Sequence, residues 1–126
     1  MIKKILLIAL GGGIGSVIRY IAAFFVEKHL SCAFPLGTFV INITGCLLIG
    51  VLLGLSERYN FFNNELKFLL IIGLCGGYTT FSAFSTENLQ LFESGRYLIL
   101  TLYAAGSVFV GFSAVWFGNY LSKIFF

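Results

Sequence analysis

Polar side chains that could contact an ion are few in this sequence, and most of them lie inside long apolar segments. They comprise Arg19; Thr38, Asn42 and Thr44; the segment from Tyr78 to Glu87; and Thr101, Tyr103, Ser107 and Ser113. Hydroxyls, an amide and a guanidinium all donate hydrogen bonds, whereas Glu87 is the only acid near the interior of these segments. Polar groups in lipid cost free energy and usually mark function. A donor-rich path with a fixed positive charge favours the passage of an anion.

Aromatic and hydroxyl side chains alternate in the third apolar segment. Phe81 and Phe84 share one helix face, and Ser82 and Ser85 share the neighbouring face. A phenyl ring is positive at its edge, so two rings presented edge-on would help to hold a small anion without formal charge. Ordinary packing is the alternative, since the chain contains 15 Phe residues. The interleaved serines favour ion binding. Two further pairs share a helix face at a spacing of four: Thr38 with Asn42, and Tyr103 with Ser107.

A helix break is predicted just before this aromatic pair. The run Gly76-Gly77-Tyr78-Thr79-Thr80 combines two glycines with two β-branched residues, a poor helical sequence. Non-helical backbone at membrane depth is tolerated where it is buried in protein or lines a cavity. Carbonyls freed there could coordinate a small hard cation such as Na⁺.

The elements that position these residues follow from composition and charge. The chain has 126 residues, of which 59% are hydrophobic and only 10% charged, against roughly a quarter charged in soluble domains. Charged residues separate four segments that are each long enough for a span of about 20 residues. We therefore expect an all-α integral membrane protein, a single four-helix domain over residues 1–126. Its spans are predicted at about 4–27, 34–56, 67–92 and 97–121.

Other function classes lack support. The basic residues form no run that could follow a phosphate backbone, which excludes nucleic-acid binding. No paired carboxylates and no nucleophile with a base are present, so we expect no enzyme. The three cysteines, Cys32, Cys46 and Cys75, do not have metal-ligand or redox spacing.

Orientation and packing can also be read from the residue pattern. Glycines four residues apart, as at Gly11 and Gly15 or Gly50 and Gly54, predict close approach of helix backbones in lipid. No internal repeat is visible, so any symmetry must come from several copies of the chain. The positive-inside rule favours both termini inside by a modest excess of basic residues. The side of the termini would carry Lys3, Lys4, Arg58, Lys67 and Lys123, and the opposite side would carry Lys28 and Arg96.

Three segments resemble the signatures of a known family. They are GGIGSVIRY at 12–20, GTFVINITG at 37–45 and GLCGGYTTFSAFSTE at 73–87. The chain is similar to the CrcB/Fluc fluoride channels in these motifs and, over its whole length, in size and number of spans. It departs from the common family pattern at Ser16 (Ala), at Cys46-Leu47 (Ser-Phe) and at Ala83 (Thr).

The resemblance implies a fluoride-selective channel that exports fluoride passively from the cytoplasm and so lowers its toxicity. It implies a multi-pass protein of the inner (plasma) membrane, assembled as an antiparallel, dual-topology homodimer with two pores along the subunit interface. A balanced Lys and Arg distribution would suit dual topology better than the observed asymmetry.

The resemblance also implies roles for individual residues. Phe81 and Phe84 would present ring edges to fluoride, and Asn42 would donate its amide. A central structural Na⁺ would be held by the backbone carbonyls of Gly76 and Thr79 and by the same pair from the second subunit. The remaining roles are a polar track of Thr38, Ser82, Ser85, Tyr103 and Ser107, a vestibule charge at Arg19 and a supporting carboxylate at Glu87.

Two alternatives remain open. A small dimeric four-helix drug exporter has similar length and hydropathy, but it predicts a deep carboxylate in the first helix, where this chain has Arg19. In a membrane scaffold without transport, the polar residues would only join helices.

Overall fold

Four helical segments long and apolar enough to cross a membrane are present in the part of the chain that the structure, a computed structural model, describes (residues 1–60 and 62–126). The first two spans are single helices, α1 (Ile2–His29) and α2 (Leu36–Arg58). The third span is divided into α3 (residues 64–78) and α4 (Phe81–Glu93), and the fourth is α5 (Tyr97–Phe125). The predicted all-helical class with four spans is therefore confirmed.

The interruption of the third span is narrower than predicted. Thr79 and Thr80 have extended backbone, with φ/ψ of −81°/156° and −146°/119°. Gly76 and Gly77 are helical instead, since Gly76–Tyr78 forms the last turn of α3. The break thus lies at the β-branched pair, whose stiff side chains favour extended backbone.

Most of α3 has a geometry that the sequence does not predict. A short α-helical turn, Asn64–Leu66, leads into a π-helical stretch, Lys67–Cys75. π-Helical backbone bonds residue i to i+5 and is rare outside single turns, often near functional sites. This stretch directly precedes the break.

Glycines bring α3 into backbone contact with α1. A Cβ atom added at Gly11 would overlap the carbonyl oxygen of Leu69, and one at Gly15 would overlap that of Leu74. Only hydrogen fits at either position, so the predicted role of this glycine spacing is confirmed.

A second glycine contact joins α2 to α5. A Cβ at Gly50 would overlap the carbonyl oxygen of Val115, and one at Gly118 would overlap that of Leu47. α4 takes part in neither glycine contact and has the fewest neighbouring segments. It packs on α5 and on part of α2.

Charged side chains connect helix ends by hydrogen bonds and an ion pair on the side where the two termini lie. Arg58, at the end of α2, donates to the carbonyl oxygens of Ser122 and Lys123 at 3.4 and 2.9 Å. Lys3 and Glu65 form an ion pair with a nitrogen–oxygen distance of 2.6 Å. These contacts join α2 to α5 and α1 to α3 at this end.

Candidate functional site

One amide side chain stabilises the extended backbone at the helix break. Asn42 of α2 donates from Nδ2 to the carbonyl oxygen of Thr80 at 3.0 Å, and its Oδ1 accepts from the Thr80 N–H at 2.8 Å. Asn42 thus supplies both hydrogen bonds that the Thr80 peptide groups would otherwise seek in a helix. The sequence predicts Asn42 as an ion ligand and does not indicate this second role.

The break leaves several backbone carbonyls without their helical donors. In a continuous helix the Gly76 carbonyl would accept from the Thr80 N–H, which here donates to Asn42. The Thr79 carbonyl would accept from the Ala83 N–H, which donates instead to the Thr80 hydroxyl at 3.1 Å. Gly77 and Tyr78 also lose their helical donors, since no backbone hydrogen bond joins them to the first residues of α4. Gly76 and Thr79, the predicted cation ligands, are therefore two of the four residues whose carbonyls the break releases.

The start of α4 is capped within the same segment. Thr80 is the N-cap residue, its Oγ1 accepts from the Ala83 N–H, and it lies 3.2 Å from the Ser82 hydroxyl. A threonine N-cap satisfies one of the free N–H groups in the first helical turn. Phe81, the first residue of α4, is thereby fixed directly beside the break.

A cavity of about 290 Å³, the inner cavity, opens next to the break. Its lining residues come from α2, the break, α4 and α5: Asn42, Cys46, Ile49, Thr79, Thr80, Phe81, Phe84, Ser107 and Val108. The Ser107 hydroxyl oxygen is buried and has no hydrogen-bond partner among the described residues. A buried hydroxyl without a partner is costly, so the inner cavity carries a donor available to a ligand.

Aromatic rings connect this cavity to a buried tyrosine. The Phe81 and Phe84 ring centroids lie 5.8 Å apart, and those of Phe84 and Tyr103 lie 5.0 Å apart. Tyr103 is completely buried and donates its hydroxyl to Glu87 Oε1 at 3.3 Å. Thr38 lines a second, larger cavity together with Glu87. The predicted Tyr103 and Glu87 thus form a hydrogen-bonded pair, and Thr38 lies in the same lining as the carboxylate.

A larger cavity of about 680 Å³, the outer cavity, lies on the other side of the break. Arg19 is its only cation among the described lining residues, and Glu27 and Glu87 are its carboxylates. The remaining lining residues are Ser16, Tyr20, Ala23, Thr38, Ile41, Thr80, Ser82, Ala83, Thr86 and Gln90. Thr80 lines both cavities and therefore stands between them.

The structure divides the predicted site residues between these two cavities. Asn42, Thr79, Phe81, Phe84 and Ser107 line the inner cavity, and Arg19, Thr38, Ser82 and Glu87 line the outer one. Neither cavity is lined by three of the predicted residues: Gly76 and Ser85, which are exposed, and Tyr103, which is completely buried.

Two of the lining residues that the sequence did not predict carry a carboxylate and a thiol. They are Glu27 in the outer cavity and Cys46 in the inner cavity. Cys46 lies four positions after Asn42 on the same helix face, and this spacing was the available signal.

Comparisons with known proteins show the family of this chain. Residues 6–119 match a family model described as "CrcB-like protein, Camphor Resistance (CrcB)". A relative from Flavobacterium psychrophilum is 54% identical over 121 residues, which cover 96% of this chain and 98% of the relative. Relatives from Phocaeicola vulgatus and Azobacteroides pseudotrichonymphae are 48% and 44% identical, covering 96% and 99% of this chain and 99% and 100% of the relatives.

All three relatives are named "Fluoride-specific ion channel FluC", the name of a channel and not of an enzyme. The four spans together with these relatives show a multi-pass protein of the plasma membrane, as expected. The match extends over nearly the whole chain and confirms the resemblance found in the three motifs: the chain belongs to the CrcB family.

Proposed function

We propose that this protein is a fluoride-selective channel that exports fluoride passively from the cytoplasm. The family membership and the names of relatives up to 54% identical support this function. Hydrogen fluoride crosses membranes as a neutral molecule and dissociates near neutral pH, which traps the anion inside. A selective pore lets the membrane potential drive the anion out, and no catalytic step is needed.

The inner cavity is the observation that carries the proposal. Asn42 Nδ2 has two hydrogens and uses one on the Thr80 carbonyl, so the other remains as a donor. The Ser107 hydroxyl is buried without a partner, and the lining includes Phe81 and Phe84 but no acid. Two donors, two aromatic rings that could present their positive edges and no negative charge suit a small anion with a strong preference for hydrogen bonds.

The outer cavity would serve as the approach to this path. Arg19 raises the local anion concentration through its positive potential. Tyr103 donates its hydroxyl to Glu87, and this hydrogen bond orients the carboxylate and partly satisfies its charge. Thr80 would be the passage point, because it lines both cavities.

We also propose that the channel is an antiparallel homodimer with two pores at the subunit interface. Phe81, a proposed ion-path residue, is 79% exposed in the single chain. A path lined by such a residue needs a second wall, which another copy of this chain would provide. The dimer would replace the inverted repeat that larger transporters carry within one chain.

The same interface would hold a structural Na⁺. The carbonyls of Gly76 and Thr79 lack their helical donors, and oxygen ligands of this kind fit a small hard cation. A Cβ added at Gly76 would meet no described atom within 4 Å, so this surface of α3 is open to a partner. Bound Na⁺ would supply the positive charge that satisfies the released carbonyls.

Fluoride efflux from vesicles tests the function. Purified protein is reconstituted in vesicles loaded with potassium fluoride, valinomycin carries the counter-charge, and a fluoride electrode follows release. We expect fluoride release without chloride release in a parallel assay. If neither ion moves, the channel function is rejected in favour of a scaffold; if both move, the selectivity is rejected.

A pair of alanine substitutions tests the interface separately. Gly76→Ala and Gly13→Ala both add a methyl group that meets no described atom of the chain. Only Gly76→Ala should weaken the dimer and its response to Na⁺ in size-exclusion chromatography with detergent. An equal, unchanged dimer in both variants would remove Gly76 from the proposed interface.

A further inference from the structure

The two ends of the helical bundle differ in charge. The end at which the termini lie, the basic end, combines five basic residues with two acidic ones: Lys3, Lys4, Arg58, Lys67 and Lys123 with Glu57 and Glu65. The opposite end has two of each kind: Lys28 and Arg96 with Glu27 and Glu93. Arg19 and Glu87 lie deeper in the spans and offset each other. The net charge of +3 therefore belongs to the basic end alone.

Two lysines of the basic end lie where α1 meets α3. The Lys4 ammonium of α1 lies over the Phe68 ring of α3, with Nζ 5.2 Å from the ring centroid. Lys67 directly precedes Phe68 and begins the π-helical stretch. Lys3 pairs with Glu65, whereas Lys4 and Lys67 form no ion pair with a described residue. An aromatic face attracts a cation but does not neutralise it, so both lysine charges remain available to an anion.

Apolar side chains flank these lysines. Ile2, Ile5 and Leu6, in the first two turns of α1, are exposed, and so is Ile72, in the next turn of α3. Exposed apolar side chains of a membrane span face lipid acyl chains, and lysines near a helix end extend their ammonium groups to the level of the head groups. The α1–α3 junction at the basic end therefore presents positive charge above an apolar surface.

We propose that this junction binds an anionic phospholipid, with the phosphate at Lys4 and Lys67 and the acyl chains along the exposed apolar side chains of α1. Charge complementarity selects the occupant, because a phosphatidylglycerol head group carries a net negative charge, whereas the quaternary ammonium of phosphatidylcholine cancels its phosphate. Basic pockets between membrane spans bind anionic head groups in this way. The site rests on the four spans and their charges and not on the proposed channel function.

Occupation of the junction would connect α1 and α3 through one ligand. The Lys3–Glu65 pair is the only ion pair between these helices among the described residues, and both side chains are largely exposed, so it contributes little to stability. A phosphate that contacts one lysine on each helix adds a second connection. A ligand that binds only the folded protein stabilises it, so anionic lipid should raise the unfolding temperature.

The first test counts the lipids that remain bound. Purified protein in detergent is mixed with equal amounts of phosphatidylglycerol and phosphatidylcholine that carry the same acyl chains, and native mass spectrometry measures the ratio of the two lipids on the protein. Each lysine near an anionic lipid favours binding by about fivefold, so the unmodified protein should prefer phosphatidylglycerol by at least this factor. Equal binding of the two lipids would overturn the proposal.

Two double variants locate the site. Lys4→Gln with Lys67→Gln removes the proposed phosphate ligands, and Lys28→Gln with Arg96→Gln removes the same number of charges from the opposite end. Only the first pair should lower the preference for phosphatidylglycerol, by about fivefold or more. Equal losses in both pairs would show a general effect of net charge and overturn the site, as would an unchanged preference in the first pair. If the first pair does not fold, Lys4→Gln alone, at an exposed side chain, decides in the same way.

Thermal unfolding in detergent distinguishes a lipid from a soluble phosphate. Phosphatidylglycerol should raise the unfolding temperature of the unmodified protein and of the opposite-end variant, but not that of the variant at Lys4 and Lys67. Glycerol phosphate, which has no acyl chains, should leave all three unchanged. If it stabilises the protein as much as the lipid does, the occupant is a soluble phosphate and the lipid proposal is overturned. No shift with phosphatidylglycerol would contradict the contact with both helices. These outcomes are the same whether or not the protein moves fluoride.

Discussion

The two halves of the third span, α3 and α4, are held in place by different kinds of contact. Glycines of α1 bring the α3 backbone directly against α1, with no side chain between them. α4 has no such contact and depends on the Asn42 amide, the Phe84–Tyr103 ring pair and the Tyr103–Glu87 hydrogen bond. α3 is therefore the half that is fixed by backbone contacts, and it leads into the break. α4, the half that carries the proposed ion ligands, should be sensitive to substitution of single side chains.

The largest loss of stability should come from α3. In Gly15→Ala the added methyl group would overlap the Leu74 carbonyl oxygen, so α1 and α3 must separate. Overpacking of this kind costs about 1–3 kcal/mol, and we expect the upper end because the obstacle is backbone. Thermal unfolding in detergent measures the change. Gly13→Ala, which meets no described atom, is the control and should be neutral or slightly stabilising; equal effects would refute the backbone contact.

Asn42→Asp should abolish the proposed fluoride flux and lower stability less than Gly15→Ala. The new carboxylate still accepts from the Thr80 N–H, but its other oxygen faces the Thr80 carbonyl without a hydrogen between them. Losing a buried hydrogen bond in this way costs about 1–3 kcal/mol. Vesicle efflux and size-exclusion chromatography are measured together. Thr44→Val, on the same helix but outside the inner cavity, should retain flux, and normal flux in Asn42→Asp would remove Asn42 from the path.

Phe81→Ile and Phe84→Ile should separate transport from stability. Phe81 is 79% exposed, so its replacement should abolish flux with little change in the unfolding temperature of the single chain. Phe84 also packs on Tyr103, and losing that ring pair should cost about 0.5–1.5 kcal/mol more. Efflux and thermal unfolding of both variants check this difference. Normal flux in Phe81→Ile would show that its ring does not contact the ion.

The smallest effect is expected for Tyr103→Phe. The substitution removes only a hydroxyl whose hydrogen bond to Glu87, at 3.3 Å, is long. Stability should fall by about 0.5–1.5 kcal/mol, and flux should decrease without disappearing because Arg19 and the polar lining of the outer cavity remain in place. Tyr97→Phe, at an exposed ring on the same helix, is the control for efflux and unfolding. Complete loss of flux would mean that Tyr103 contacts the ion itself.

The sequence was most informative where physical constraints are local. Spanning length predicts the four helices and the glycine spacing predicts close backbone approach, because both patterns involve residues close together in the chain. That the partner of α1 is α3 comes from the structure. The break was predicted, but its position at Thr79 and Thr80 depends on Asn42, which lies 38 residues away from Thr80. The π-helical stretch Lys67–Cys75 has no marker in composition. The place of Cys46 in the inner cavity depends on how α2, α4 and α5 pack.

The Asn42 amide has a consequence for spectroscopy. Its two Nδ2 hydrogens have different surroundings, since one is donated to the Thr80 carbonyl and the other is directed away from that bond. In a nitrogen–proton NMR spectrum they would give two resonances that share one nitrogen shift. The proton shift of the second hydrogen should change most when an anion occupies the inner cavity, while that of the first reports the bond to Thr80, so a single ¹⁵N label would report occupancy and backbone geometry at once.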